Sequence, residues 1–205
     1  MLKLYYSPGA CAMASHIALE EAGVPYEIVA IDLKKGEQKT PEYLAINPAG
    51  STPALVTDEG VLTENLVIMG YVAQTHPEAK LADNGSSFNF GKMQSFNGFL
   101  SSSLHPAIGK VLFARPPLEG EAKTSALDLA LTKYDLVEQH LLKGPWAMGE
   151  AYTVADGYVS VFTRWLRQAG LLDAARFPRL NEHLDRVQAR PAVQKVLQME
   201  DIPAV

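Results

Sequence analysis

Cysteine occurs once in the 205 residues, at position 11. A lone thiol excludes an internal disulfide and any paired-cysteine redox or zinc motif, and no metal is expected. Positive charge is not in excess either: 18 lysines and arginines stand against 23 aspartates and glutamates, a formal net charge of -5. With no basic stripe to displace counterions from a phosphate backbone, nucleic acid is not an expected partner. No apolar run approaches the roughly 20 residues of a membrane-spanning helix, and Met1 to Tyr6 meets Pro8-Gly9 too soon for a signal segment. These absences point to a cytoplasmic protein with no membrane partner. A hydrophobic share of 47% and a charged share of 20% leave no compositional case for disorder or a disulfide scaffold.

What is present reads as an α/β layer followed by helices. Leu2 to Ser7 has the character of a short strand, Ser7-Pro8-Gly9-Ala10 of a turn, and Cys11 to Ala22 of a helix with a small-residue apolar face that Gly23 stops. Tyr26 to Asp32 alternates like a second strand, so the crossover predicts a right-handed unit with parallel strands. Thr40-Pro41 is a helix start, with threonine as cap and proline in the first turn. Residues 54–57 and 61–63 flank Asp58-Glu59-Gly60 as a hairpin, and a helix follows from Asn65 to about Gln74. Strand, helix, strand, helix, strand, strand, helix is the order of a thioredoxin-like fold.

Breakers with little apolar content then mark a linker, and strand signals disappear beyond it. Helical stretches are expected at about 88–114, 121–142, 153–169, 178–189 and 192–199, with Pro178 and Pro191 in first turns. The predicted organisation is a thioredoxin-like domain over 1–78, a linker over 79–87, and an all-α helical bundle over 88–205. Thr153-Val154-Ala155-Asp156 has the spacing of a capping box and is given a structural role.

Cys11 follows a strand and a Pro-Gly turn and opens a helix, where unpaired amides and the positive dipole end favour a thiolate. Lowering a thiol pKa by about two units takes about 2.7 kcal/mol of differential stabilisation, and a helix terminus in good geometry supplies up to about 2.

The segment Ser7-Pro8-Gly9-Ala10-Cys11, with Ser15-His16-Ile17-Ala18-Leu19, resembles the beta class of bacterial glutathione transferases. Three further motifs agree. Asn47-Pro48-Ala49-Gly50-Ser51-Thr52-Pro53-Ala54-Leu55 is similar to the family segment that ends in a cis-proline. Leu62-Thr63-Glu64-Asn65 stands at a helix start where amides and a polar side chain can receive a carboxylate, while Glu64 can accept from an ammonium. Tyr152-Thr153-Val154-Ala155-Asp156, with Phe162 and Arg164-Trp165, resembles the family's helical-domain core signature.

The resemblance covers essentially the whole chain. It implies a glutathione transferase with glutathione as co-substrate, a small hydrophobic electrophile as second substrate, and a homodimer. Glutathione would lie along Thr52 and Pro53, where backbone groups pair with it as an added strand, with its γ-glutamyl end at Glu64 and Asn65 and its sulfur against Cys11. It also implies that His105 points from the helical domain into the site and that Lys35 reaches the glycyl carboxylate. Three departures bear on the substrate profile: Ala12 where a hydroxyl residue is common, Pro106 where a basic residue is common, and Gly98 where an asparagine contact is often found. Thiol-disulfide exchange through Cys11, a glutathione-dependent isomerase or dehalogenase, and a non-catalytic binding module share the same motifs.

Overall fold

The computed structural model describes all 205 residues. The strands β1 (Leu2–Tyr6), β2 (Tyr26–Ala30), β3 (Ala54–Val56) and β4 (Val61–Thr63) form one mixed sheet in the order β2-β1-β3-β4. β1 and β2 run parallel, with Leu4 opposite Ile28, while β3 is antiparallel to both β1 and β4. The parallel pair is joined by α1 (Met13–Ala22), which ends at Gly23 in the left-handed region at φ 65°. A β-carbon there would be strained, which is the reason for glycine. α2 (Pro41–Leu44) begins where the Thr40-Pro41 signal predicts, with Thr40 Oγ1 accepting from the Tyr43 amide at 3.3 Å. α3 (Asn65–Thr75) completes a thioredoxin-like layer.

The remainder is helical: α4 (Ser87–Phe99), α5 (His105–Phe113), α6 (Gly120–Leu136), α7 (Val154–Gln168), α8 (Pro178–Gln188) and α9 (Pro191–Met199). The long stretch expected at 88–114 is interrupted by π-helix at Leu100–Leu104, and the one expected at 121–142 ends in π-helix at Val137–Leu141. A π-turn widens the helix by one residue and swings the following side chains. The first of the two lies immediately ahead of His105.

The α7 helix is the spine of the bundle, buried without a break from Val154 to Leu166. A helix apolar on one stripe would expose its polar face; here most polar residues find partners inside the protein, although Arg164 Nε has none. Asp156 and Thr153 make the predicted capping box, with the Thr153 amide donating to Asp156 Oδ2 at 2.7 Å, and Asp156 Oδ1 also lies 2.8 Å from His183 Nε2. Thr163 and Ser160 turn back onto carbonyls of their own helix.

A single apolar core runs through both parts of the chain, from Leu4 and Leu55 of the sheet through α1 to Val154, Tyr158 and Phe162 of α7. The helix α1 is embedded in it, with every residue from Met13 to Leu19 buried. One polar residue there, His16, meets Glu200 just beyond α9, with Nδ1 2.8 Å from Oε1 and both side chains fully buried. The other carboxyl oxygen of Glu200 accepts from the Gly9 amide at 2.8 Å.

Truncating one partner of a buried pair leaves the other desolvated and unmatched, at a cost of about 3 kcal/mol or more. Glu200→Ala is therefore expected to destabilise the protein by about 3 kcal/mol, and Glu200→Gln, which keeps both contacts as neutral hydrogen bonds, by clearly less. Urea denaturation at fixed protein concentration measures both.

Candidate active site

The loop between β1 and α1 carries Cys11 and has little hydrogen bonding of its own. Ala10 donates back to Ser7, and Met13 to Ala10, each at 3.1 Å. Its position is set from the helical half. The Gly9 amide donates to Glu200, and the Gly9 carbonyl accepts from Trp165 Nε1 at 2.9 Å. Gly9 itself sits at φ 68°, so both backbone groups face the helices in a conformation that favours glycine.

Across from this loop lies the Thr52–Pro53 bond, which is cis. Ser51 is anchored beneath it, its carbonyl accepting from Tyr43 Oη and Asn47 Nδ2, both at 2.7 Å. The Thr52 amide donates to no group of the chain, and its carbonyl meets Cys11 Sγ at 3.9 Å, a long contact suited to the weak S–H donor. Thiol and open backbone edge therefore face each other.

At the start of α3, Glu64 has φ 69° and ψ 122° and is exposed. The amides of Asn65 and Leu66 at the start of α3 have no intrahelical acceptor, whereas that of Val67 donates to the Glu64 carbonyl at 3.0 Å, so the region can receive an anion. The Asn65 side chain, expected to help there, is instead turned inward: the residue is 5% exposed and its Oδ1 accepts from Ser15 Oγ at 2.7 Å.

His105 begins α5 and packs by its ring on Phe162 at 5.2 Å and on Trp165 at 5.4 Å between centroids. It makes no hydrogen bond to Cys11. Burial holds its imidazole below the ordinary value, so the ring is neutral at neutral pH. Phe113, more than half exposed, meets Trp165 edge-on at 5.1 Å. The face that the bundle turns toward Gly9 is thus aromatic. Lys35 is exposed and pairs with Asp32 at 3.4 Å. Another lysine, Lys39, has its ammonium 3.3 Å from the Ala49 carbonyl, in the segment leading to Thr52.

Residues 1–74 match the model for the N-terminal domain of glutathione S-transferases, and residues 118–186 match the model for their C-terminal domain. The glutathione S-transferase GST-4.5 of Xanthomonas campestris is 33% identical over 98% of this chain and all of its own length. The chain belongs to the glutathione S-transferase family. Among solved structures, a sphingomonad glutathione S-transferase complexed with glutathione is 36% identical, with a TM-score of 0.86 over 98% of this chain and 100% of that one. The bacterial beta-class glutathione S-transferase of Sphingomonas chungbukensis is 33% identical, with a TM-score of 0.85 over the same shares of the two chains.

Sequence reasoning about this family member expected a stabilised thiolate, and the structure reverses that sign. Burial pushes the Cys11 thiol up to about 11, and the nearby Glu64 carboxylate adds to the rise. Hydrogen bonding from Asn65 and from the backbone amides of Cys11 and Ala12 opposes it without overcoming it. The amides at the helix terminus are where the sequence places them. Desolvation outweighs them even though Cys11 as a residue is only partly buried.

Three participants were not visible in the sequence reading. Trp165, expected only to support the fold, anchors Gly9, and Glu200 holds the other face of the same residue. Tyr158 of α7 is buried and lies close enough to Asn65, Cys11 and Glu64 for each of them to act on its phenol.

A thiol titrating near 11 is about 100-fold poorer in thiolate at pH 8 than one titrating near 9. Iodoacetamide is therefore expected to alkylate Cys11 in the ligand-free protein on the order of 100-fold more slowly at pH 8 than it alkylates a free cysteine, with the rate still rising above pH 9. A plateau reached below pH 8 would contradict this.

Proposed function

We propose that this chain conjugates the glutathione thiolate to small hydrophobic electrophiles, and that Cys11 serves the reaction as a hydrogen-bond donor and not as the nucleophile. The observation that carries this reading is the elevated Cys11 thiol beside an open backbone edge. Two thiols brought together share one readily lost proton, and it leaves the one with the lower pKa. A glutathione thiol near the ordinary value of about 8.5 lies about two units below Cys11, a preference of about 3 kcal/mol for charge on glutathione. The Cys11 S–H then donates to that sulfur, and the amides of Cys11 and Ala12 add to the stabilisation.

The rest of glutathione fits the groups left open. Its cysteinyl backbone pairs with the Thr52 amide and carbonyl, Pro53 holding that edge, as an added strand. Its γ-glutamyl carboxylate takes the first-turn amides of Asn65 and Leu66, and its ammonium takes Glu64. Lys35 or Lys39 meets the glycyl carboxylate; Lys39 is the one whose ammonium already reaches the 47–52 segment. The electrophile lies against Phe113, Trp165 and His105, where a flat apolar group stacks. Orientation of the two reactants supplies most of the remaining rate.

Assembly as a homodimer belongs to the same reading. Val61 of β4, Val67 of α3 and Phe88 of α4 are exposed apolar residues that a second copy can cover. Light scattering is expected to return twice the chain mass.

Replacing Cys11 by alanine separates conjugation from thiol-disulfide exchange. Cys11→Ala is expected to keep conjugation of a chlorodinitrobenzene substrate within about tenfold of the unaltered protein, since one hydrogen bond to a charged group is worth about 1.5 kcal/mol. Any disulfide reductase activity should vanish. Conjugation lost by a thousandfold would instead make Cys11 the nucleophile.

A further inference from the structure

The helix α3 starts without a capping side chain: Glu64 holds the cap position at φ 69°, and its carboxylate accepts from no first-turn amide. An uncapped first turn is where a helix frays. Two tethers from neighbouring helices bracket it here. On the α1 side, Asn65 Oδ1 accepts from Ser15 Oγ at 2.7 Å. On the α4 side, Gln94 Nε2 donates to the Leu66 carbonyl at 3.3 Å. Gln94 is oriented in turn by Asn97, a fully buried residue whose Nδ2 donates to Gln94 Oε1 at 3.1 Å. With its oxygen so engaged, the Gln94 carboxamide turns its N–H groups toward α3.

Gly70 is the reason α4 can come this near. It lies one turn after Leu66 on the same face of α3, and its amide is the helical donor to the same Leu66 carbonyl. A β-carbon at residue 70 would stand 2.9 Å from Gln94 Nε2, inside the contact distance of the two atoms. The backbone of Gly70 is ordinary helix, with no positive φ to accommodate. Glycine in mid-helix costs stability relative to alanine, and the notch it leaves for Gln94 is what offsets that cost.

We propose that Gln94 is a positioning residue for glutathione, fixing the first turn of α3 so that the open amides of Asn65 and Leu66 stand ready for the γ-glutamyl carboxylate. This inference rests on the transferase reading above and deepens it, by placing part of the glutathione site under the hold of the helical domain. Gln94 acts through residue 66 and touches no ligand itself. Amides already in place bind a carboxylate without the ordering cost that a frayed turn adds.

The test compares glutathione with γ-aminobutyryl-cysteinyl-glycine, which keeps the ammonium and lacks only the carboxylate in question. Calorimetry gives both affinities, and steady-state conjugation gives kcat and KM, for the unaltered protein, Gln94→Ala and Gly70→Ala. Gln94→Ala removes the donor. Gly70→Ala pushes it aside, and the next atom the new methyl meets, Phe90 Cζ at 3.7 Å, is at ordinary contact distance. Each variant is expected to raise Kd and KM for glutathione about fivefold, the worth of one hydrogen bond between uncharged groups, with kcat little changed. Affinity for the analogue should hardly move, because it presents nothing to those amides. Gly70→Ala should also unfold at the same or a higher urea concentration while binding glutathione more weakly, a pairing that a merely structural contact does not give.

Equal weakening toward both peptides would overturn the proposal, and so would unchanged glutathione affinity in the folded variants. If the unaltered protein binds the two peptides equally well, the carboxylate does not lie on α3, and the proposal falls while the transferase reading stands. If it binds neither, both fall.

Discussion

The carboxyl group of Glu200 is the constraint on which the site depends. It stands 191 residues from Gly9 in sequence and bonds it directly, while its second oxygen meets His16 inside the core. A loop of six residues between β1 and α1 cannot hold a thiol in place by its own hydrogen bonds, which are few. With Gly9 gripped on one side by Glu200 and on the other by Trp165, the loop becomes rigid at the expense of the helical half. The C-terminal segment is in turn tied down, Arg164 donating to the Pro203 carbonyl and Gln188 exchanging two bonds with Val205. The bundle is thus the frame against which the thioredoxin-like layer presents its sulfur. A sulfur misplaced by about 1 Å costs on the order of 100-fold in rate, so the distant carboxyl acts on chemistry through geometry.

That frame also decides the charge state of the thiol. A helix terminus offers up to about 2 kcal/mol to an anion, and burial in a low-dielectric surrounding can move a pKa by several units the other way. At Cys11 burial wins. The proposed mechanism follows from that order as a division of labour between two sulfurs, one that keeps its proton and donates it as a hydrogen bond and one that becomes the nucleophile. An exchange mechanism would need the opposite order of acidity, because the thiolate and not the thiol attacks a disulfide.

Much of this was legible in sequence wherever the causes are local. The strand-turn-helix around Cys11, the hairpin after Pro53, the Thr40-Pro41 start and the Thr153 to Asp156 capping box each depend on residues within a few positions of one another. What stayed hidden depends on contacts made across the fold. Nothing local marks Glu200 beside Asp201, and Trp165 donates to a residue 156 positions away. Burial of the thiol is likewise a sum over neighbours from α1, α3 and α7. Spacing also gave no sign that Ser15 Oγ would meet the Asn65 side chain across 50 residues. The π-turn before His105 left no mark in the hydrophobic pattern, although it sets the phase in which that ring meets Phe162 and Trp165.

Glu64 shows how a single backbone feature divides two roles between neighbours. Its φ of 69° lies in a region that non-glycine residues avoid, a conformation that costs about 1–3 kcal/mol and persists only when the surroundings impose it. The surroundings here are the end of β4 on one side and the buried Asn65 carboxamide on the other. Turning the chain at that residue leaves Glu64 exposed and sends Asn65 into the core toward Ser15. An α-helical φ at residue 64 would rotate both side chains together, and the carboxylate and the carboxamide would no longer face opposite ways. The same turn brings the Glu64 charge near enough to help keep the Cys11 proton in place. On the proposed mode of glutathione binding, an ammonium drawn to Glu64 weakens the repulsion that the carboxylate exerts on negative charge near the Cys11 sulfur, and so favours a thiolate there.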